Sequence, residues 1–358
     1  MVWVSTSFCL WLLVYTADSH SDNYTKFYLE AVYMAYKILQ LISFSLWNID
    51  NCHYKQSNWD LLESLLRYLL YFPYSVTLIV PYHAFLEQVK LRQDRVEKLN
   101  LYKVAFLAFR VLFWTLTADL VTHLLFMNAF MGDPELLRQL PLPSLAAVGY
   151  LCGQFFHMKY MSIFGVGTVF ARLDGMDPPW PPICISRVSL YSRMWRHFDR
   201  GLYAFLRDHI YLPVAKPGFG LPSRLAGTAA SFLFVFLWHG ASAAFFYWTL
   251  LNLVGILLEN AAAEWRRSAG GMRLMSKLSQ ANLRRVSALA HFPCTALGVF
   301  AIFFFLGDAD GESGWVFLER FVWNEMFRFG LPLLYMVFLA YCFANCCIDL
   351  NDEFGFKD

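Results

Sequence analysis

The sequence predicts an all-α protein whose helices cross a membrane several times. Hydrophobic residues make up 58% of its 358 residues and charged residues only 16%, whereas an average soluble domain has about 25% charged residues. The apolar stretches are continuous and lack a period-two alternation, and in lipid only helices or closed barrels satisfy the backbone. We therefore expect a polytopic transmembrane helical bundle with additional re-entrant or interfacial helices.

Nine apolar stretches are candidate transmembrane spans, since a helix needs about 20 residues to cross the hydrocarbon core. They lie near residues 2–16, 27–48, 62–85, 104–131, 144–170, 224–238, 241–259, 286–307 and 328–348. The first is short and lacks the basic leader of a signal peptide. The spans divide the chain into N-terminal transmembrane helices (1–171), a cytosol-side re-entrant or interfacial region (172–223) and C-terminal transmembrane helices (224–358).

The basic residues predict the topology. They collect in segments 87–103, 187–207 and 264–285, which the positive-inside rule places in the cytosol. Two predicted spans separate each neighbouring pair of segments, so the three assignments agree. The span 224–238 then leaves the cytosol and 241–259 returns. The outgoing span has only 15 residues, about 22 Å of helix against about 30 Å of hydrocarbon, so we expect the turn after it to be recessed.

His239, in that turn, is the first candidate catalytic residue. It follows Trp238, at the end of an apolar run over residues 229–237 in which Ser231 is the one polar residue. Because histidine is costly in hydrocarbon, one at membrane depth indicates a functional site. A packed structural histidine is the alternative interpretation.

Residues 172–223 are neither a span nor a simple loop. A proline cluster at 178–182 is incompatible with a helix. It is followed by aromatic and cationic residues, the pattern of an interfacial or re-entrant helix. Asp199 lies in this region, 40 positions before His239. A purely structural amphipathic elbow would have the same composition.

The eight cysteines do not predict a disulfide scaffold or a zinc ribbon, because they have no C-x-x-C spacing and no dense framework. They are Cys9, Cys52, Cys152, Cys184, Cys294, Cys342, Cys346 and Cys347. The net charge of +2 indicates no particular partner. Membrane lipids are expected around the chain and a nucleic-acid partner is not.

Several short blocks resemble the membrane-bound O-acyltransferase superfamily, particularly the hedgehog acyltransferases. These blocks are Met194–Asp199, Gly201–Tyr203, Tyr211–Val214 and Trp238–Gly240, with further similarity from Trp248 to Asn260. The resemblance is specific from about Pro178 to Asn260. The chain departs from the family in an N-terminus that looks short and in Ala241, where related sequences often have a second glycine.

The resemblance implies transfer of palmitate from palmitoyl-CoA to the N-terminal cysteine of a secreted Hedgehog-type signalling protein. It implies a location in the endoplasmic reticulum membrane, with the Golgi as an alternative. It also implies that Asp199 is a second catalytic residue and that Cys184 is a haem ligand.

Given the reaction that the resemblance implies, the residue types indicate how each side chain would act. We expect His239 to be the general base that takes the proton from the acceptor amine or thiol. Trp195 and Trp238 would line the donor path, and Arg196 would attract the CoA phosphates. Ordinary interfacial aromatics and positive-inside charge are the alternative interpretations.

Three other functions remain open. In the first, the chain is an acyltransferase of the same superfamily whose acceptor is a peptide serine hydroxyl or a lipid. The chain would alternatively be an inactive truncated isoform or scaffold, but both His239 and Asp199 are present. A transporter would show internal repeats with broken helices, and the sequence shows no such self-similarity.

Overall fold

The computed structural model describes residues 24–51, 57–75, 78–216, 220–326 and 331–355, and every regular element in these ranges is helical. The predicted all-α class is therefore confirmed. The predicted span at 2–16 lies outside the described residues.

The helices are numbered in chain order. The first nine are α1 (Tyr24–Asp50), α2 (Asn58–Leu69), α3 (Phe72–Ser75), α4 (Tyr82–Lys90), α5 (Arg92–Glu97), α6 (Leu101–Leu124), α7 (Met127–Met131), α8 (Pro134–Gln139) and α9 (Leu142–Leu173). A 3₁₀ turn (Ile185–Arg187) precedes α10 (Tyr191–Phe198) and α11 (Arg200–Leu206), and a π-helical turn (Arg207–Tyr211) leads to α12 (Leu212–Val214). The remainder are α13 (Gly220–Trp238), α14 (Ala243–Arg267), α15 (Ala269–Met275), α16 (Gln280–Ala290), α17 (Phe292–Leu306), α18 (Glu312–Leu318), a π-helical segment (Glu319–Met326) and α19 (Leu331–Phe354).

The chain forms two compact units whose segments alternate along the sequence. The first unit comprises Met1–Ala118, Met158–Pro182 and Asp199–Ser231, and the second comprises Asp119–His157, Ile183–Phe198 and Phe232–Asp358. Asp199 therefore belongs to the first unit and His239 to the second. The three-part division along the membrane topology stays a prediction.

Within the described residues, five helical segments are long and apolar enough to cross a membrane. They are Leu101–Leu124, Gly220–Trp238, Ala243–Arg267, Gln280–Leu306 and Leu334–Phe354. Five predicted spans thus coincide with such segments. The helix α9 contains the whole predicted span 144–170, but it is not among the five.

The predicted span at 62–85 is wrong, because this stretch contains α2, α3 and α4 as three separate helices. Pro73 lies in α3, and Pro81 is the N-cap of α4. Proline lacks an N–H donor and restricts the preceding residue, so it interrupts a continuous helix. The apolar residues here form a core instead of a span: Tyr68, Tyr74 and Phe85 are buried in one cluster of the first unit.

Two predicted boundaries are also corrected. The helix α6 ends at Leu124 and does not continue to residue 131. The helix before His239 begins at Gly220 and has 19 residues, about 28 Å of helix, which is close to the thickness of the hydrocarbon core. The length of this helix therefore gives no reason to expect that the turn at His239 is recessed in the membrane.

The second unit has a packed core that holds α17 in place. Phe303 of α17 stacks on Phe317 of α18, with 3.7 Å between ring centroids. Both rings are buried together with Leu145 of α9 and Met131 of α7. A Cβ atom at Gly149 would lie 2.3 Å from the Phe303 ring, so this glycine allows the close approach of α9. The same helix α17 carries Phe305, which contacts His239.

Candidate active site

His239 lies immediately after α13, where a hydrogen-bonded cap ends the helix. The Ala241 N–H donates to the Phe236 carbonyl over 3.1 Å, and the Gly240 N–H donates to the Leu237 carbonyl over 3.2 Å. These two bonds form the Schellman pattern, in which the residue after the cap has a left-handed conformation. Gly240 occupies that position with φ of 102°. The glycine after His239 therefore ends the helix and fixes the histidine as its C-cap.

Ala241 continues the turn in an unfavourable conformation. Its φ is 55°, and it is the one non-glycine residue with positive φ among the described residues. An L-residue in the left-handed region costs about 1–2 kcal/mol. The next residue, Ser242, starts α14 by accepting a hydrogen bond from the Phe245 N–H. The turn between α13 and α14 is thus short and determined at both ends.

Substitutions in this turn are expected to have opposite effects on stability. Ala241→Gly removes the strain and should raise the free energy of unfolding by up to about 1 kcal/mol, after the added flexibility of the unfolded chain is subtracted. Gly240→Ala places a Cβ at φ of 102° and should lower it, although nothing lies within 4 Å of that Cβ. Thermal denaturation of the purified variants in one detergent measures both changes. Shifts of the same sign would contradict this description of the turn.

Four aromatic rings surround the His239 imidazole. Their centroids lie 4.9 Å (Trp238), 5.0 Å (Phe245), 5.1 Å (Trp248) and 5.5 Å (Phe305) from the centroid of the imidazole. We call these four residues the aromatic cage. Within the described part of the chain, neither imidazole nitrogen has a protein hydrogen-bond partner. The ring is therefore held by packing, and its nitrogens are available to a reactant.

The cage also determines the protonation state of His239. The residue lies in the turn, outside both helices, and burial lowers its pKa to about 4. The imidazole is therefore neutral at pH 7 and able to accept a proton. Because its pKa is lowered, it is a weaker base than free imidazole. A general base is most effective when its pKa lies near the working pH.

Asp199 is the N-cap of α11 in the first unit. Its Oδ1 accepts a hydrogen bond from the Leu202 N–H over 2.9 Å. Burial raises its pKa to about 6, although the backbone N–H groups of Leu202 and Gly201 act in the opposite direction. A Cβ at Gly201 would lie 2.1 Å from the Ile79 carbonyl oxygen, so only glycine fits at this position without a shift of the backbone. Burial therefore favours the protonated form of the Asp199 carboxyl, and the helix N-cap fixes its position.

The predicted donor-binding residues lie in the second unit with His239. Trp238 belongs to the cage itself. The Trp195 ring, on α10, lies 5.7 Å from Trp248 of the cage. Arg196 follows it and is exposed. The structure thus brings the two tryptophans to the surroundings of His239.

Three residues of α14 contribute contacts that the sequence analysis did not assign. Asn252 Oδ1 accepts a hydrogen bond from Trp195 Nε1 over 2.9 Å. Gly255 leaves room for the Tyr191 ring, which a Cβ would approach to 2.1 Å. The Glu259 carboxylate accepts hydrogen bonds from the backbone N–H groups of Tyr191 and Ser192. We call Asn252, Gly255 and Glu259 the α14 platform.

A signal for the platform was present in the sequence. Its members are spaced three and four residues apart, so they lie on one face of the helix. Glu259 lies in a segment that is able to cross a membrane, where an acidic residue is costly and marks a functional or structural partner. What the sequence lacked was the identity of that partner.

Cys184 gives no support for the implied haem. It is half-buried and precedes the 3₁₀ turn, where its carbonyl accepts a hydrogen bond from the Arg187 N–H. In the ranges that the structure describes, no group of three or more His, Cys, Asp or Glu residues is able to hold a metal ion.

The all-helical fold agrees with the result of a comparison with known protein families. The chain belongs to the MBOAT, membrane-bound O-acyltransferase family, whose sequence model matches residues 1–307. It is thus a multi-pass membrane protein of an acyltransferase family.

Three curated relatives are similar to most of the chain. The protein-cysteine N-palmitoyltransferase HHAT of Mus musculus is 29% identical over 289 residues, which cover 80% of this chain and 56% of the mouse protein. The protein-cysteine N-palmitoyltransferase Rasp of Drosophila melanogaster is 27% identical over 328 residues, covering 90% and 63%. The mouse protein-cysteine N-palmitoyltransferase HHAT-like protein is 26% identical over 314 residues, covering 86% and 59%. The chain therefore spans about three fifths of the length of these relatives.

Proposed function

We propose that the chain transfers palmitate from palmitoyl-CoA to the N-terminal cysteine of a secreted Hedgehog-type protein. The observation that carries this proposal is the His239 imidazole, which is packed among aromatic rings and has no hydrogen-bond partner in the described part of the chain. The names of two relatives, protein-cysteine N-palmitoyltransferases, support the donor and the cysteine acceptor. The Hedgehog-type acceptor follows from the resemblance of the sequence blocks around Asp199 and His239.

The proposed reaction is an acyl transfer assisted by a general base. The acceptor nitrogen or sulfur attacks the thioester carbonyl carbon, and His239 takes the proton that the nucleophile loses. The tetrahedral intermediate then releases CoA as the thiolate, which the same proton neutralises. If sulfur attacks first, the acyl group moves to the neighbouring amine, so the product in either case is an amide. The aromatic cage would exclude water and so limit hydrolysis of the thioester.

The remaining predicted residues take roles at the donor end of the proposed reaction. Trp195 and Trp238 would line the path of the acyl chain, and the exposed guanidinium of Arg196 would attract the CoA phosphates. Asp199 would act from its own unit as a second catalytic residue. We place the reaction in the endoplasmic reticulum membrane, with the Golgi as the alternative, because a secreted acceptor passes through both.

The acceptor is tested with the full chain, labelled palmitoyl-CoA and three peptides in parallel. The peptides begin with cysteine, with N-acetylated cysteine or with serine and are otherwise identical. We expect label that resists hydroxylamine, and is therefore amide-linked, on the first peptide only. Label on the serine peptide or on a glycerolipid would replace the proposed acceptor. Bound donor without any labelled acceptor would contradict the proposed transfer.

A further inference from the structure

We propose that the α14 platform, Asn252, Gly255 and Glu259, positions α10 so that Trp195 and Arg196 are held for the acyl donor. These are positioning residues, since they contact α10 and not the reacting atoms. The inference rests on the proposed function, which gives Trp195 and Arg196 their role in donor binding.

Glu259 supplies the N-terminal cap that α10 lacks in its own sequence. The first N–H groups of a helix have no partner within it. The residue before α10 is Leu190, whose carbonyl accepts from the Met194 N–H but whose side chain has no acceptor. The Glu259 carboxylate accepts from Tyr191 and Ser192 instead, and a negative charge is favourable at this end of a helix. Because α10 has only eight residues, it depends on such external contacts.

Asn252 fixes the tryptophan at the middle of α10. Its Nδ2 donates to the Trp248 carbonyl over 2.7 Å, which orients the amide so that Oδ1 faces Trp195 Nε1. Gly255 lies between Asn252 and Glu259 and admits the Tyr191 ring, which is 5% exposed. Contacts along one face of α14 thus fix both the start of α10 and its donor-facing ring.

The platform shares α14 with the aromatic cage, but its contacts with α10 do not include His239. The aromatic cage comes from α13, α14 and α17 and includes no residue of α10. Among the ring contacts of the described residues, Trp195 reaches the cage through Trp248. Displacement of α10 should therefore weaken donor binding more than it slows proton transfer at His239.

The test compares Glu259→Gln with Glu264→Gln, the same chemical change on the same helix at a side chain that is 42% exposed. Glutamine retains one acceptor oxygen but presents an N–H₂ group to the second backbone donor. We expect Glu259→Gln to raise the Kd and the KM for palmitoyl-CoA about tenfold, as for a lost charge-assisted hydrogen bond, with a much smaller change in kcat. The Glu264→Gln control should match the parent chain in all three quantities.

A second measurement separates positioning from general loss of structure. Trp195→Phe and Asn252→Ala each remove one end of the same hydrogen bond. The Kd of the double variant for palmitoyl-CoA should therefore not exceed that of the single variant with the higher Kd. Amide hydrogen exchange over residues 191–198 should be faster in Glu259→Gln and unchanged in Glu264→Gln.

The outcomes distinguish the two proposals. If Glu259→Gln lowers the fraction of active protein but leaves the Kd and the KM for palmitoyl-CoA unchanged, the positioning role is overturned. The proposed function would then remain in place. A parent chain that binds no palmitoyl-CoA would overturn the proposed function, and with it the donor-positioning role.

Discussion

His239→Ala is expected to lower kcat for palmitoyl transfer by about 10²–10⁴-fold, the usual contribution of a positioned general base. The alanine removes the proton acceptor and leaves the four rings of the aromatic cage. The Schellman bonds of the turn use backbone groups, so they remain. Single-turnover transfer of labelled palmitate, measured at saturating donor, gives the rate of the chemical step.

The matched control for this variant is His123→Ala. The His123 side chain is 71% exposed on α6, so its loss removes an imidazole that has no role in the proposed reaction. We expect this control to transfer palmitate at the parental rate. A His239→Ala protein that is folded, binds donor and keeps a rate near that of the parent would show that His239 is a packing residue.

Asp199→Asn is expected to lower kcat/KM by about 10²-fold, the size of effect that a displaced catalytic or substrate-binding group produces. Asparagine is also a good N-cap and retains the oxygen that accepts from Leu202, so the variant removes the charge and not the cap. The same assay on Asp133→Asn, a change at the exposed N-cap of α8, controls for the effect of the amide at a helix start.

The stability of Asp199→Asn should depend on pH in a defined direction. The folded pKa of about 6 lies above the value of about 3.9 in an unfolded chain. A carboxyl with a raised folded pKa makes its full contribution to the free energy of unfolding below the unfolded pKa. This contribution is lost as the pH rises through the folded pKa of about 6. The buried charge therefore destabilises the parent at pH 7–8, by at most about 2–3 kcal/mol.

Melting temperatures in detergent at several pH values measure this effect. The difference between Asp199→Asn and the parent should grow in favour of the variant from about pH 4 to about pH 6.5 and then level off. A constant difference for Asp199→Asn would mean that the Asp199 carboxyl is not buried as described.

The sequence was sufficient for the class of the fold and for the position of the turn. Long apolar runs leave helices as the solution in lipid, and the glycine after His239 is the residue that a Schellman cap requires. The resemblance to the acyltransferase family pointed to the same histidine. Nothing in the sequence showed that four rings would enclose it, because Phe305 lies 66 positions away in the chain.

The errors came from treating apolar composition as membrane burial. Residues 62–85 are apolar because Tyr68, Tyr74 and Phe85 pack together inside the first unit, and hydropathy does not distinguish such a core from a span. The role of Glu259 was missed for a related reason. A carboxylate in a span predicts a partner, but its partners are backbone N–H groups of α10, which no side-chain pattern reveals.

The strongest test of base catalysis by His239 is chemical rescue of His239→Ala by added imidazole. The truncated side chain leaves a ring-sized space within the aromatic cage, which free imidazole would fill. Single-turnover palmitoylation of the cysteine peptide should be nearly absent in the variant alone and should rise with the concentration of neutral imidazole. The parent chain should not respond. A variant that stays silent with imidazole while it binds both reactants, or one that needs no imidazole, would contradict the account.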